Sequence, residues 1–338
     1  MTVTIKDIAR LSGYSIGTVS RVINNQKDVS EAAAQKIQAV IEEVGYQPNS
    51  NARHLKRSRS NAVTVIVKGT NNLFLTELLE NVQSHLKDAG EEVNVVFLDE
   101  SVNEVETAIV ECNERHPKGL IFLGADLNHF RTDFEKISVP SVLIAAYGSD
   151  LGFENLSSVC TDDFMGGYMA IQRLMEKGHR EIAIIGGFLT DEYYQASTAR
   201  LNGALKALKE AGIEFDLNKK YIQSSFSIQD GYSNFKTAYE NGLHCTAVFA
   251  LSDMVALGVL RSAIDLKLGV PDDLSIIGFD GIETVNYSIP RISTICQDIG
   301  LLAKKGVDDL LLRMEYSRTP VHERLPFQII DGESIRSL

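Results

Sequence analysis

Two hydrophobic periodicities divide this chain. In residues 4–44 apolar side chains recur at helical spacing. Ile5, Ile8 and Ala9, extended by Leu11, form one face, and Val19, Val22 and Ile23 form a second. "EAAAQKIQAVIEEV" carries a third from Ser30, with Gly45 as its stop. Thr4 followed by Asp7 reads as a capping box, Gly13 permits a tight turn, and Ser15 can cap the second helix. Three short helices with a tight turn before the second predict a helix-turn-helix unit.

After "RSRSN" at 57–61 the pattern changes to continuous apolar runs alternating with amphipathic ones. "AVTVIV" precedes a helical run from Phe74 to Lys87, and "EVNVVFL" precedes Asn103 to Arg115. "GLIFLG" and "VPSVLIAA" follow. The alternation resumes with "EIAIIGG" before Ala199 to Ala211, "AVFALS" before Asp253 to Leu266, and "LSIIGFD". Apolar strands between helices predict parallel sheets covered on both faces, in two similar α/β halves. The tail "RISTICQDIGLLAKKGVDDLLLRM" adds a strand and a helix that return the chain to the first half, with several crossovers. Ligands of such folds sit at the carboxyl ends of the strands, here between the lobes.

Composition narrows the class. With 338 residues and 44% hydrophobic side chains, the chain can build more than one core. No apolar run approaches membrane-spanning length, and Lys6, Asp7 and Arg10 interrupt any leader-like stretch. Cys112, Cys160, Cys245 and Cys296 are far apart, which argues for reduced thiols in a cytoplasm rather than disulfides or a zinc site. The net charge of −12 is uneven. Residues 1–60 hold nine Lys/Arg against five acids, or +4, which leaves −16 for the remainder. A basic head on an acidic body points to a polyanion met by the head alone.

The exposed side of the second helix supplies the chemistry. Arg21 can bond guanine bidentately, for roughly 1–3 kcal/mol of discrimination, and Ile16 can touch a thymine methyl. Thr18, Ser20 and Asn24 suit phosphates or base edges. Gly17 costs about 1 kcal/mol of helix stability relative to alanine, which is understandable if something approaches closely there. A three-helix bundle with a polar face explains the same spacing.

"TIKDIARLSG", "TVSRVIN", "VSE", "GYQPN" and "NARHL" resemble the DNA-binding head of the lactose-repressor/galactose-repressor family of bacterial transcription factors. "TDDFMGGYMAIQRLMEKGHREIAIIGG", "TAVFALSDMVALGVL" and "GVPDDLSIIGFD" extend the resemblance through the body. It implies an all-α helix-turn-helix head plus an α/β body of two Rossmann-like parallel-sheet lobes of periplasmic-binding-protein type. The expected divisions are 1–47 for the head, 48–60 for a hinge helix and linker, and 61–338 for effector binding and dimerisation. Within the body one lobe takes about 61–160 and part of 291–330. The other takes about 161–290 and the C-terminal end.

By the resemblance Ile16, Gly17 and Arg21 read bases, while Thr4, Ser15, Thr18, Ser20 and Asn24 hold phosphates. Leu55 and Ala52 match a hinge helix that folds on operator and wedges into the minor groove, with Asn49 and Lys56 near the backbone. In the cleft it implies Arg200, Asp280, Phe74, Phe226, Ser252 and Gln297; Tyr194, on the approach to Arg200, joins these candidates as a departure, since smaller polar residues are frequent there. Departures stand beside these matches. Ala145 and Ala146 replace a usual aspartate, "KGTNN" stands where the first strand commonly ends in Pro-Asp, and Asp331 stands where arginine is usual.

The expected function is a homodimeric repressor of a pseudo-palindromic double-stranded DNA operator. A small molecule in the cleft, a sugar or glycoside, controls it allosterically, without cofactor or metal. Two other classes share parts of this pattern. An enzyme lacks its motifs: HExxH and GxxxxGK[ST] are missing, and the GxSxG spacing at Gly13 to Gly17 lies between two predicted helices rather than after a strand. A solute-binding protein without a DNA role would share the body but not the head.

Overall fold

A computed structural model describes residues 5–23, 29–44, 62–69, 71–189 and 196–338. The chain divides into two compact units, residues 1–59 and 60–338. In the first, α1 (Ile5–Ser12), α2 (Ile16–Ile23) and α3 (Glu31–Glu43) enclose a small core of Ile8, Ala9, Val19, Val22 and Ile37. Gly13 turns the chain with φ +78°, and its amide closes α1 on the Ala9 carbonyl at 3.0 Å. The apolar face of α1 differs from expectation at one position. Leu11 is exposed and Ser12 is buried, because Ser12 lies one turn beyond Ile8 whereas Leu11 has rotated away from that stripe.

The second unit holds two sheets of six strands each among the described residues. The first lobe comprises β1 (Ala62–Lys68), α4 (Leu73–Asp88), β2 (Glu92–Leu98), α5 (Glu104–Arg115), β3 (Gly119–Leu123), α6 (Leu127–Asp133), β4 (Ser141–Ile144) and β5 (Leu156–Thr161). The second begins with α7 (Asp163–Glu176), β6 (Ile182–Ile185) and α8 (Ala196–Glu210). It continues through α9 (Leu217–Lys220), β7 (Tyr221–Ile222), α10 (Ile228–Glu240) and β8 (Ala247–Ala250). α11 (Asp253–Asp265), β9 (Ser275–Asp280) and β10 (Ser293–Gln297) follow. α12 (Ile299–Glu315), β11 (His322–Leu325) and β12 (Phe327–Ile330) end the series.

Strand order is β11-β5-β4-β3-β1-β2 in one sheet and β12-β10-β9-β8-β6-β7 in the other. All pairs are parallel except β10 with β12. β3, β4, β6, β8 and β9 are buried along their whole length, the result of helices covering both faces. The chain passes between sheets after Thr161, after Gln297 and after Leu325. The tail therefore splits: β10 stays in the second sheet, whereas α12 packs on β4, β5 and α4 of the first.

Glycines set one close approach. α7 and α8 cross so tightly that a Cβ at Gly167 would lie 2.0 Å from the Arg200 carbonyl oxygen, and one at Gly203 would lie 1.9 Å from that of Phe164. Only glycine fits either place. No helix among the described residues is long and apolar enough to cross a membrane.

Candidate effector cleft and DNA-reading helix

The carboxyl ends of both sheets face one cavity of about 350 Å³. From the first lobe it is lined by the ends of β1, β3 and β4 (Lys68, Gly124 to Asp126, Ala145, Ala146) and by Asn72, Phe74 and Leu75 at the start of α4. From the second it is lined by Gly187 and Phe188 after β6, and by Ala196, Ser197 and Arg200 on α8. Ser224 to Phe226 after β7, Ser252 after β8 and Asp280 at the end of β9 complete that wall. Half of the lining residues are polar or charged, and Phe74, Phe188 and Phe226 stand among the small apolar remainder, a mixture suited to a small molecule with both apolar faces and polar groups.

Arg200 is 6% exposed and stands at the centre of an ionic cluster. Its Nε donates to Asp163 Oδ1 at 2.8 Å, its Nη1 donates to the Leu251 carbonyl at 2.6 Å, and Nη1 lies 3.3 Å from Asp280 Oδ1. The guanidinium carbon sits 3.6 Å from the centroid of the Phe279 ring. Burial alone would lower this guanidinium, but Asp163 and Asp280 hold it above its ordinary value. Nε and Nη1 of Arg200 are thus engaged by protein acceptors that fix the side chain in place at the cavity wall.

Asp280 closes β9 with φ +118°, a conformation that costs a non-glycine residue on the order of 1–3 kcal/mol and collects at functional sites. Burial pushes its carboxyl up to about 6, against the opposing pull of Arg200 and the Gln297 amide. Burial also raises Asp163. Asp253 is raised well above its ordinary value by burial and by neighbouring Asp280. Asp253 accepts the Gly281 and Ile282 amides at 2.6 and 3.0 Å and the Thr294 hydroxyl at 2.7 Å, so it ties down the loop leaving Asp280.

Phe74, Phe226, Ser252, Asp280 and Arg200 meet at the cavity. Ser252 also caps α11, accepting from the Val255 amide at 3.3 Å. Gln297 is absent from the cavity lining; its amide donates to Asp280 Oδ1 at 2.8 Å. Tyr194 lies outside the described residues. Sequence reasoning passed over Ser197, which is 3% exposed, lines the cavity, and has no hydrogen-bond partner for its hydroxyl among the described residues. Ala145 and Ala146 do face the cavity, while Asp331 pairs with Arg173 away from it.

In the head, Ser15 Oγ accepts the Thr18 amide at 3.1 Å and contacts the Thr18 hydroxyl at 2.9 Å, capping α2. Gly17 and Arg21 are on the exposed side. A Cβ on Gly17 would meet nothing closer than Ser15 Oγ at 3.7 Å, so the packing of the head does not demand glycine there. The side chains of Ile16 and Ser20, and residues Thr4, Asn24, Asn49, Ala52, Leu55 and Lys56, lie outside what the structure describes.

Comparison with known proteins agrees with this architecture. The family model "Bacterial regulatory proteins, lacI family" matches residues 4–49, and "Periplasmic binding protein-like domain" matches residues 171–335. The chain is 34% identical over 335 residues to the HTH-type transcriptional regulator MalR of Clostridium butyricum, covering 98% of each protein. It is 32% identical over 314 residues to the ribose operon repressor of Haemophilus influenzae, covering 92% of each. Among solved structures, the lac repressor dimer bound to operator and the anti-inducer ONPF matches with a TM-score of 0.71 at 25% identity, over 99% of this chain and 100% of that one. The complex of the transcriptional regulator CelR with cellobiose matches at 0.71 and 27%, over 98% and 99%. The chain belongs to the lacI family of bacterial regulatory proteins.

Proposed function

We propose that the protein is a cytoplasmic, homodimeric repressor whose operator affinity is set by a neutral saccharide or glycoside held in the cleft. The cavity carries this reading. It is of mono- to disaccharide size, has Phe74 and Phe226 for the apolar faces of a sugar ring, and offers Ser197, Ser252 and Asp280 to hydroxyls. Relatives named for ribose and cellobiose point to the same ligand class.

Ile16, Gly17 and Arg21 read base edges, and Thr4, Ser15, Thr18, Ser20 and Asn24 hold phosphates. Ala52 and Leu55 of the hinge, flanked by Asn49 and Lys56, enter the minor groove. Tyr194, Arg200 and Gln297 complete the ligand site, the last by orienting Asp280. The protein performs no catalysis. Its mechanism is linkage: ligand and operator change each other's affinity by the same factor, typically 5–150-fold.

Selection of random duplexes with the full-length protein should enrich a pseudo-palindrome. Fluorescence anisotropy on that duplex should then shift with a bound sugar. No enriched palindrome would sink the repressor reading, and an unresponsive duplex would remove the saccharide from it.

A further inference from the structure

β1 ends in Lys68, where the resemblance leads one to expect Pro-Asp, and the side chain turns inward. It is 10% exposed, and its ammonium donates to Glu104 Oε2 at 2.8 Å. Glu104 is fully buried and accepts the Asp126 amide on its other oxygen at 2.6 Å. His129 Nδ1 lies 2.8 Å from the same Oε2, so its N–H donates there, and the 3.5 Å between Lys68 Nζ and Nδ1 is a contact of two donors.

An ammonium carries three N–H groups, and Glu104 takes one. Among the described residues no other acceptor bonds the remaining two. Lys68 lines the cavity, whereas Glu104 and His129 do not. A buried ammonium with donors to spare favours an oxygen brought to it by a ligand.

The surrounding charge says which kind of oxygen. Lys68 is matched by Glu104, and Arg200 on the opposite wall is matched by Asp163 and Asp280. Glu100 and Asp126 also border the cavity. No net positive charge draws an anion, so hydroxyl or ether oxygens fit best. Where the resemblance leads one to expect an aspartate the first lobe offers the methyl groups of Ala145 and Ala146; Lys68 is its one cationic donor to the cavity among the described residues, with Glu100 and Asp126 as its carboxylates.

We infer that Lys68 is a specificity-determining residue of the cleft: its ammonium donates to an oxygen of a neutral saccharide, with Glu104 and His129 holding it in place. The inference rests on the cleft being a saccharide site. Titration calorimetry of the full-length protein with ribose, maltose and cellobiose tests it, on wild type, Glu104→Gln, Lys68→Met/Glu104→Gln and Lys68→Arg. The double variant removes the ammonium without stranding a buried carboxylate.

A sugar that binds wild type should bind the double variant roughly tenfold more weakly or worse, and Glu104→Gln within about threefold of wild type. Lys68→Arg, which keeps the ion pair but moves the donors, should change the ratio of affinities among the three sugars. Equal binding by wild type and the double variant, or an unchanged ratio in Lys68→Arg, overturns the role of Lys68 and leaves the cleft reading intact. No sugar binding to wild type overturns the cleft reading and this inference together.

Discussion

Gln297 Nε2 donates to Asp280 Oδ1 at 2.8 Å, joining the ends of two neighbouring strands. Arg200 Nη1 approaches the same oxygen at 3.3 Å. Oδ1 is therefore occupied by the protein, and among the described residues no hydrogen bond takes Oδ2. Gln297→Leu should loosen that carboxylate and weaken saccharide binding about tenfold, the loss of one charge-assisted hydrogen bond. Operator affinity without sugar should not change. Calorimetry and anisotropy on one preparation separate the two effects, and undiminished sugar binding would show that Asp280 needs no such orientation.

The raised carboxyl of Asp280 makes a pH prediction whose sign runs opposite to the ordinary salt-bridged case. An acid that titrates near 6 when folded, against a value near 4 when unfolded, binds its proton more tightly in the native state. Its contribution favours folding at low pH and is lost as pH rises from about 4 through about 6. Asp280→Asn removes that ionisation. The variant should unfold at a higher temperature than wild type at pH 7.5, by at most about 3 kcal/mol for two units. The advantage should shrink by pH 5, while sugar binding is lost at both. A gap independent of pH would mean that another group carries the strain.

Arg200→Met should do more than abolish ligand binding. It leaves Asp163 and Asp280 buried without their cation, and breaking a buried pair costs about 3–5 kcal/mol. Urea unfolding at pH 7.5 should show that loss. Part should return at pH 5.5, where the carboxyls protonate instead of remaining unpaired. A variant as stable as wild type at both pH values would contradict the structural role given to this arginine.

These effects explain what the residue pattern reveals and what it hides. β1, β3 and β9 are readable because a strand covered on both faces is written in continuous apolar letters. β5 escapes that reading. Its Ser157 and Ser158 are fully buried, and each is satisfied from far away in sequence. Ser157 Oγ takes the Val321 amide at 3.1 Å and Arg313 Nη1 at 3.0 Å; Ser158 Oγ lies 2.8 Å from His322 Nδ1. Arg200 and Asp280 could be placed by their motifs, but the clamp of Asp163 and Leu251 on Arg200 arises only when α7, α8 and β8 come together. Lys68 reads as an ordinary solvated lysine at a strand end until Glu104 and His129 close behind it. Leu11 erred the other way: its apolarity suggested the core, while its angular position on α1 puts it outside.

Gly167→Ala tests whether the ligand site depends on the packing beneath it. The added methyl would press on the Arg200 backbone, and backbone on both sides leaves little room to yield. Overpacking of this kind costs typically about 1–3 kcal/mol, occasionally more. The unfolding midpoint should fall, and saccharide affinity should fall with it because α8 carries Arg200 and Ser197. Full affinity in a destabilised variant would show that the cleft tolerates displacement of α8.

Gly17→Ala should have the opposite effect on folding and a comparable one on function. The methyl group meets only Ser15 Oγ at an ordinary 3.7 Å, and alanine is the better helix former by up to about 1 kcal/mol. The head should therefore resist thermal unfolding slightly better. Operator binding should nevertheless weaken, because a side chain at the exposed start of α2 separates the helix from the groove it enters. Helix propensity and DNA affinity then move in contrary directions at one atom. Circular dichroism of the head and anisotropy on the selected duplex read them independently. If both improve together, Gly17 does not lie at the DNA surface, and the orientation assigned to α2 is wrong.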